Sequence, residues 1–176
     1  NTEITLKPGE SRELAIMLGI GDARTIGKRT VAEFGSIARA DAELERLKQT
    51  WHSRLDSLVV ETPDPEFNST VNMWGLYNAL ITFAWSRAAS LVYNGERDGL
   101  GFRDSVQDII AVSAAIPDEA RRRLELMLTG QLSNGGAIPV IRPFEHRPGH
   151  ESAPPDSEYR SDDCLWFFNA VPAFVG

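Results

Sequence analysis

Three groups of side chains in this sequence have the types and spacing to do chemistry. The first is Ser161-Asp162-Asp163-Cys164-Leu165-Trp166. Two adjacent carboxylates at a helix start can be driven apart in behaviour. One caps the backbone and stays ionised; the other, set against apolar or like-charged neighbours, keeps its proton near neutral pH and acts as a general acid. The positive end of a helix favours the same pair for structural reasons alone, and residue types do not choose between the two accounts. The second group is Arg97-Asp98-Gly99-Leu100-Gly101-Phe102-Arg103-Asp104, followed by Gln107 and Asp108. Glycines let a loop approach a ligand closely. Arg97 and Arg103 offer forked donors, and Asp104 can accept from two hydroxyls. Asp104 and Asp108 are placed to share a helix face. Helix capping by Asp104, with the arginines paired on the surface, explains these residues as well and has the stronger claim on types alone. A dinucleotide loop is excluded, because no strand pattern precedes the glycines.

The third group is His146 and His150 with Glu145 and Glu151. The spacing resembles a metal site, but Pro148 and Gly149 between the histidines prevent them from sharing a helix face, so a loop that contacts substrate or solvent is the better reading and no metal is assigned. Cys164 has no basic partner nearby and reads as a structural cysteine. Trp74, Trp85 and Trp166 are core residues or stacking platforms, with core the default on helix faces.

The elements that position these groups are mostly helical. Residues 2–19 read as two short strands joined by a turn at Lys7-Pro8-Gly9-Glu10. Leu44, Leu47, Trp51, Leu55 and Leu58 recur at helical spacing within a helix over 41–58. A second helix starts near Glu66 and ends at Asn94-Gly95. A third covers Asp104 to Ala115. A fourth begins at Pro117 and runs to Leu128, with Arg121, Arg122 and Arg123 solvated. Residues 139–158 form a long irregular loop of the kind that often carries function. A fifth helix is capped by Ser161 or Asp162. After residue 40 there is no strand pattern, so the chain reads as stacked α-hairpins in a bundle, solenoid or helical toroid.

The chain has 176 residues, 42% of them hydrophobic and 24% charged, with a net charge of −7. This composition can bury a core. The acidic balance argues against nucleic-acid binding and against anionic membranes, and leaves room for a local arginine cluster around one phosphate. A lone cysteine, Cys164, excludes an internal disulfide and permits a reducing compartment, so a cytoplasmic location is expected. No apolar run reaches the roughly 18 residues a spanning helix needs. The apolar run from Leu165 to Val175 looks like a helix cut off from its partners, so the chain is expected to be a fragment.

Taken in order, Val71-Asn72, Ser86-Arg87, Gly101-Phe102-Arg103-Asp104-Ser105 with Gln107-Asp108, Gly135-Gly136-Ala137 and Glu158-Tyr159-Arg160-Ser161-Asp162-Asp163-Cys164-Leu165-Trp166 resemble glycoside hydrolase family 94. That family comprises cellobiose, chitobiose and β-1,2-oligoglucan phosphorylases. The last segment is similar in form to β-1,2-oligoglucan phosphorylases and to the phosphorylase-like region of cyclic β-1,2-glucan synthases. The resemblance implies a mainly α chain: the end of an N-terminal β-sandwich over 1–22, a helical linker over 23–60, and the first part of an incomplete (α/α)6 catalytic barrel over 61–176.

The resemblance also implies the reaction. Inorganic phosphate would attack a β-linked glucooligosaccharide with inversion to give α-glucose 1-phosphate, phosphate being co-substrate and no cofactor being needed. Asp162 or Asp163 would be the proton donor, with Asp162 preferred and Asp163 as cap. Arg97, Arg103, Asp104 and Asp108 would bind the transferred glucosyl unit, and Arg87 would help bind phosphate. The remaining phosphate ligands would lie in the missing remainder of the barrel, and a homodimer is among the assemblies allowed for the full-length protein. Two other readings stand beside this one: a hydrolase on the same toroid using Glu145, Glu151 or Glu158 as base, and a non-catalytic glucan-binding module. With the barrel incomplete, the isolated 176-residue chain is expected to release no glucose 1-phosphate from β-glucans and phosphate; robust turnover by it would overturn that expectation.

Overall fold

The computed structural model describes residues 3–85, 99–153, 155 and 160–176. The chain divides into two compact units, residues 1–53 and 54–176. In the first unit the expected turn forms: Glu10 N–H donates to the Lys7 carbonyl at 3.0 Å, and Gly9 supplies the positive φ of 85° that the third turn position demands. The expected strands do not form among described residues 3–19. Ile16 and Leu18 are exposed there, and a segment without a ladder partner has no backbone pairing to hold it as a strand.

Asp22 then starts the helical part, accepting from Arg24 N–H at 3.0 Å and from the Thr25 hydroxyl at 2.5 Å. A π-helical turn, Ala23–Gly27, leads into α1 (Lys28–Phe34). α1 ends at Gly35, where the Arg39 guanidinium donates to the Ala32 and Glu33 carbonyls at 2.7 and 3.0 Å. A cation thus satisfies carbonyls that the helix end leaves open. α2 (Ile37–Leu55) follows, starting before and ending short of the span that the leucine periodicity suggests.

The second unit opens with a segment tied down by two asparagines one helical turn apart. Asn72 exchanges two hydrogen bonds of 2.8 Å with the Val60 backbone. Asn68 does the same with Thr62, at 2.9 and 2.8 Å. Asp64 caps α3 (Pro65–Ser69) by accepting from Glu66 and Phe67 N–H, and Pro65 occupies the first turn, where a missing N–H costs nothing. The helix continues through a π-helical turn, Thr70–Gly75, into α4 (Leu76–Trp85).

The core forms around α5 (Phe102–Val112), which packs on α4, on α6 (Pro117–Leu128) and on α7 (Phe167–Val175). Phe102, Val106, Ile109 and Val112 of α5 are all fully buried, at the spacing of one helix face. Leu124 and Met127 of α6 and Phe167 and Ala170 of α7 complete the layer. Arg121 pairs with Glu125 at 2.8 Å on the surface. Arg123 departs from the solvated reading: its guanidinium carbon lies 4.7 Å from the centre of the Phe83 ring, a cation–π contact that joins α6 to α4.

One small ladder appears where no strand pattern was legible. β1 (Leu100–Gly101) pairs antiparallel with β2 (Val140–Ile141), in the register Leu100 to Ile141 and Gly101 to Val140. Phe102 N–H extends it by donating to the Pro139 carbonyl at 3.0 Å. Each strand is two residues long, too short for alternation to show. The ladder explains Gly99. This residue has φ +95°, and a Cβ there would overlap Val140 Cγ1 and sit 3.0 Å from the Ile141 carbonyl oxygen. Its requirement is met within the fold, by close approach of the Val140 and Arg142 side chains and the Ile141 carbonyl.

Gly135 also has a positive φ, +86°, but open space around it. Gly135→Ala should therefore cost only the conformational penalty, about 1–2 kcal/mol. Gly99→Ala should cost about 1–3 kcal/mol more for overpacking. Denaturant unfolding of the two variants checks this, and equal losses would contradict the packing account.

Candidate functional site

The site rests on an aromatic contact between helices distant in sequence. Phe102 opens α5 and Phe167 opens α7; their rings meet edge to face, 5.5 Å apart at 87°. This geometry sets the positive ring edge against the negative face and excludes water between them. It brings the residue after Phe102 next to the segment before Phe167. Arg103 Nη1 donates to both carboxylate oxygens of Asp162, each at 3.0 Å. Trp166 Nε1 donates to Asp162 Oδ2 at 3.2 Å. The pair is partly open, with side-chain exposures of 37% for Arg103 and 40% for Asp162, so a solute can reach it.

The two adjacent acids sit in opposite environments. Hydrogen bonding from Arg103 first, and from Trp166 second, holds the Asp162 carboxyl below the ordinary carboxylate range. Asp163 is only 2% exposed, and its Oδ1 is buried without a hydrogen-bond partner. Burial pushes its carboxyl up, against the pull of the Arg160 and Arg103 charges. Neither acid caps the helix as expected. The chain turns through 161–163 into a 3₁₀ turn, Cys164–Trp166, before α7 begins. Asp163 precedes that turn with helical dihedrals and no side-chain capping bond. Asp162 gives its oxygens to side chains instead. For Asp163 the cap reading is overturned, because a side chain in helical backbone geometry does not fold back onto the next free N–H groups as a cap does.

Among the other expected residues, Asp104 lies half-buried in the first turn of α5, where the helix end favours a negative charge. Asp108 is buried on the same helix at 7% exposure. Arg87, Arg97 and Glu158 lie outside the described residues. On the long loop, His146 and Glu151 are drawn inward, with side chains 6% and 9% exposed and His146 Nε2 at 3.5 Å from Glu151 Oε1. Thr129 donates its hydroxyl to the Leu126 carbonyl at 2.6 Å, and its Oγ1 lies 2.7 Å from His146 Nε2. These residues anchor the loop to the end of α6, while Glu145 and His150 stay exposed. Sequence reasoning did not foresee the role of Trp166. Its position four residues after Asp162 in a helix-start segment is the signal that pairs them.

Comparison with known proteins bears on this arrangement. Residues 50–175 match the family described as "Glycosyl hydrolase 94 superfamily, catalytic domain". An N,N′-diacetylchitobiose phosphorylase of Vibrio proteolyticus is 35% identical, with 98% of this chain and 24% of that protein aligned. A solabiose phosphorylase of Paenibacillus borealis is 26% identical across 97% of this chain and 20% of that protein. The cyclic β-(1,2)-glucan synthase NdvB of Rhizobium meliloti (strain 1021) is 30% identical across 97% of this chain and 6% of its own length. The chain therefore spans under a quarter of each of these relatives.

The opposed environments of the two acids predict opposite responses. Asp162 is lowered, so its contribution to stability is present above the unfolded carboxylate range and lost as pH falls through its folded value. Asp163 is raised, so its contribution is present below the unfolded range and lost as pH rises through its folded value. At neutral pH, Asp162→Asn should lower the melting temperature and Asp163→Asn should leave it equal or higher. The Asp163→Asn difference should vanish as pH falls into the ordinary carboxylate range, whereas the Asp162→Asn difference should persist there and be lost only below it. Thermal unfolding across that range decides, and a neutral-pH loss confined to Asp163→Asn would reverse the assignment.

Proposed function

The chain belongs to the glycosyl hydrolase 94 superfamily, and from this premise we propose that the full-length protein cleaves a β-glucoside with inorganic phosphate, inverting the anomeric carbon to give α-glucose 1-phosphate. The β-1,2-glucooligosaccharides are the proposed substrates. The observation that carries the reading is the accessible Asp162 carboxylate held between Arg103 and Trp166. Relatives that are phosphorylases support the reaction class, and the likeness to a cyclic β-(1,2)-glucan synthase supports the linkage.

In this reading Asp162 protonates the glycosidic oxygen. A phosphate oxygen attacks the anomeric carbon from the opposite face, the carbon–oxygen bond breaks, and the shortened acceptor leaves with the proton. An inverting hydrolase would need a second carboxylate to activate water; anionic phosphate needs none. Asp162 is preferred to Asp163 as donor because a side chain 2% exposed cannot touch a substrate oxygen. The donor must start protonated, whereas Arg103 favours its ionised form. Binding resolves this conflict: a bound phosphate brings negative charge that favours the protonated carboxyl, and sugar hydroxyls compete for Arg103. Arg103, Asp104, Asp108 and Arg97 would hold the glucosyl unit, and Arg87 would bind phosphate. Among the described residues no helix is long and apolar enough to cross a membrane.

The hydrolase reading has less support. Of its candidate bases, Glu151 is buried, with a side chain only 9% exposed, and Glu158 lies outside the described residues.

The test is sugar 1-phosphate release by the full-length protein, with and without phosphate, from β-1,2- and β-1,4-glucooligosaccharides and N,N′-diacetylchitobiose. Phosphate-dependent release is expected, and Asp162→Asn should lower kcat by about 10² to 10⁴-fold. Free glucose without phosphate would establish the hydrolase instead. Sugar binding without either product would leave a binding module.

A further inference from the structure

Arg103 does not distinguish the two oxygens of Asp162, because one guanidinium nitrogen stands 3.0 Å from each. Trp166 does distinguish them. Its indole N–H donates to Oδ2 alone, at 3.2 Å. The indole is not free to follow the carboxylate elsewhere, since Trp166 closes the 3₁₀ turn and is followed by Phe167, which the Phe102 ring holds in the core.

We infer that Trp166 is a positioning residue for the proton donor: its N–H occupies Oδ2 of Asp162, leaving Oδ1 as the oxygen that carries the proton to the glycosidic bond. The inference rests on the phosphorolysis reading and on Asp162 as its acid. A carboxylic acid has one proton and two equivalent oxygens, so an unanchored carboxyl offers its proton in several geometries. Arg103 bonds both oxygens alike, so the additional N–H on Oδ2 disfavours protonation there and makes Oδ1 the favoured site of the proton. Proton transfer then begins from one orientation, which is what general acid catalysis requires.

The N–H also favours the ionised form of Asp162. Removing it therefore has a directional effect on pH dependence that lost packing does not. The charged groups that bear on this pair are Arg103 and Asp104 from α5, and Arg160 and Asp163 from the acid's own segment. All four stay in place when only the indole changes.

The experiment uses the full-length protein, phosphate, and whichever of the β-1,2-glucooligosaccharides or N,N′-diacetylchitobiose the wild type cleaves. Trp166→Phe removes the donor. Replacing Trp166 with β-(3-benzothienyl)alanine removes the N–H while keeping the ring shape, which separates chemistry from folding. Both should lower kcat by about 10- to 100-fold, the range for a lost hydrogen bond to a charged group, with KM little changed. In both, the basic limb of the kcat/KM profile should move to higher pH. A benzothienylalanine variant with wild-type kcat and an unmoved basic limb overturns the inference, even if Trp166→Phe is damaged, because the loss would then be one of packing. A full-length protein that releases no sugar 1-phosphate, or an Asp162→Asn variant that keeps turning over, overturns the underlying reading and the inference with it.

Discussion

The candidate site depends on the edge-to-face contact of Phe102 with Phe167. Each ring begins a helix, and each helix buries one face against the other. Because Phe102 is fully buried and Arg103 follows it, the guanidinium emerges at the rim of the core. Because Phe167 is also buried, Trp166 and the acids before it are held at the same rim. The ion pair between Arg103 and Asp162 is partly exposed and, as a surface pair, adds little to stability by itself. Packing of the rings places the charges; the charges do not hold the helices together.

That division of labour lets two neighbouring carboxylates differ. Backbone geometry sends Asp163 toward the core, where desolvation opposes ionisation, and leaves Asp162 at the rim under a cation and an N–H donor. A one-residue offset is enough to produce the split because, in a tight helical turn, successive side chains point in well-separated directions. The same rim position makes Asp162 accessible to a ligand and sensitive to any anion that enters beside it.

Support for the site comes from elements with no chemical role of their own. Gly99 lets the 140–142 segment pass close enough to form the two-residue ladder, which fixes the entry into α5. His146, one of two histidines whose spacing resembles a metal site, ties the long loop to Thr129 at the end of α6. Both cases show residue types that suit ligand contact being used up by internal packing.

The sequence by itself determined the helical character of the second unit, the start of its helices near Glu66 and at Pro117, and the chemical group to watch, Asp162-Asp163. Those features are local: caps, proline at the first turn and apolar spacing act within a few residues, so they are legible without a structure. The family resemblance was equally legible, because ordered motifs survive in the linear sequence. Tertiary structure alone decided the rest. It chose which acid faces solvent and gave Arg103 a carboxylate partner 59 positions away. It turned Trp166 from a core or stacking candidate into a hydrogen-bond donor, and set Arg123 on the Phe83 ring. It also left residues 3–19 without strand pairing. Each of these depends on which surfaces meet when helices pack and on whether a ladder partner is at hand, and neither is written in the spacing of residues along one segment.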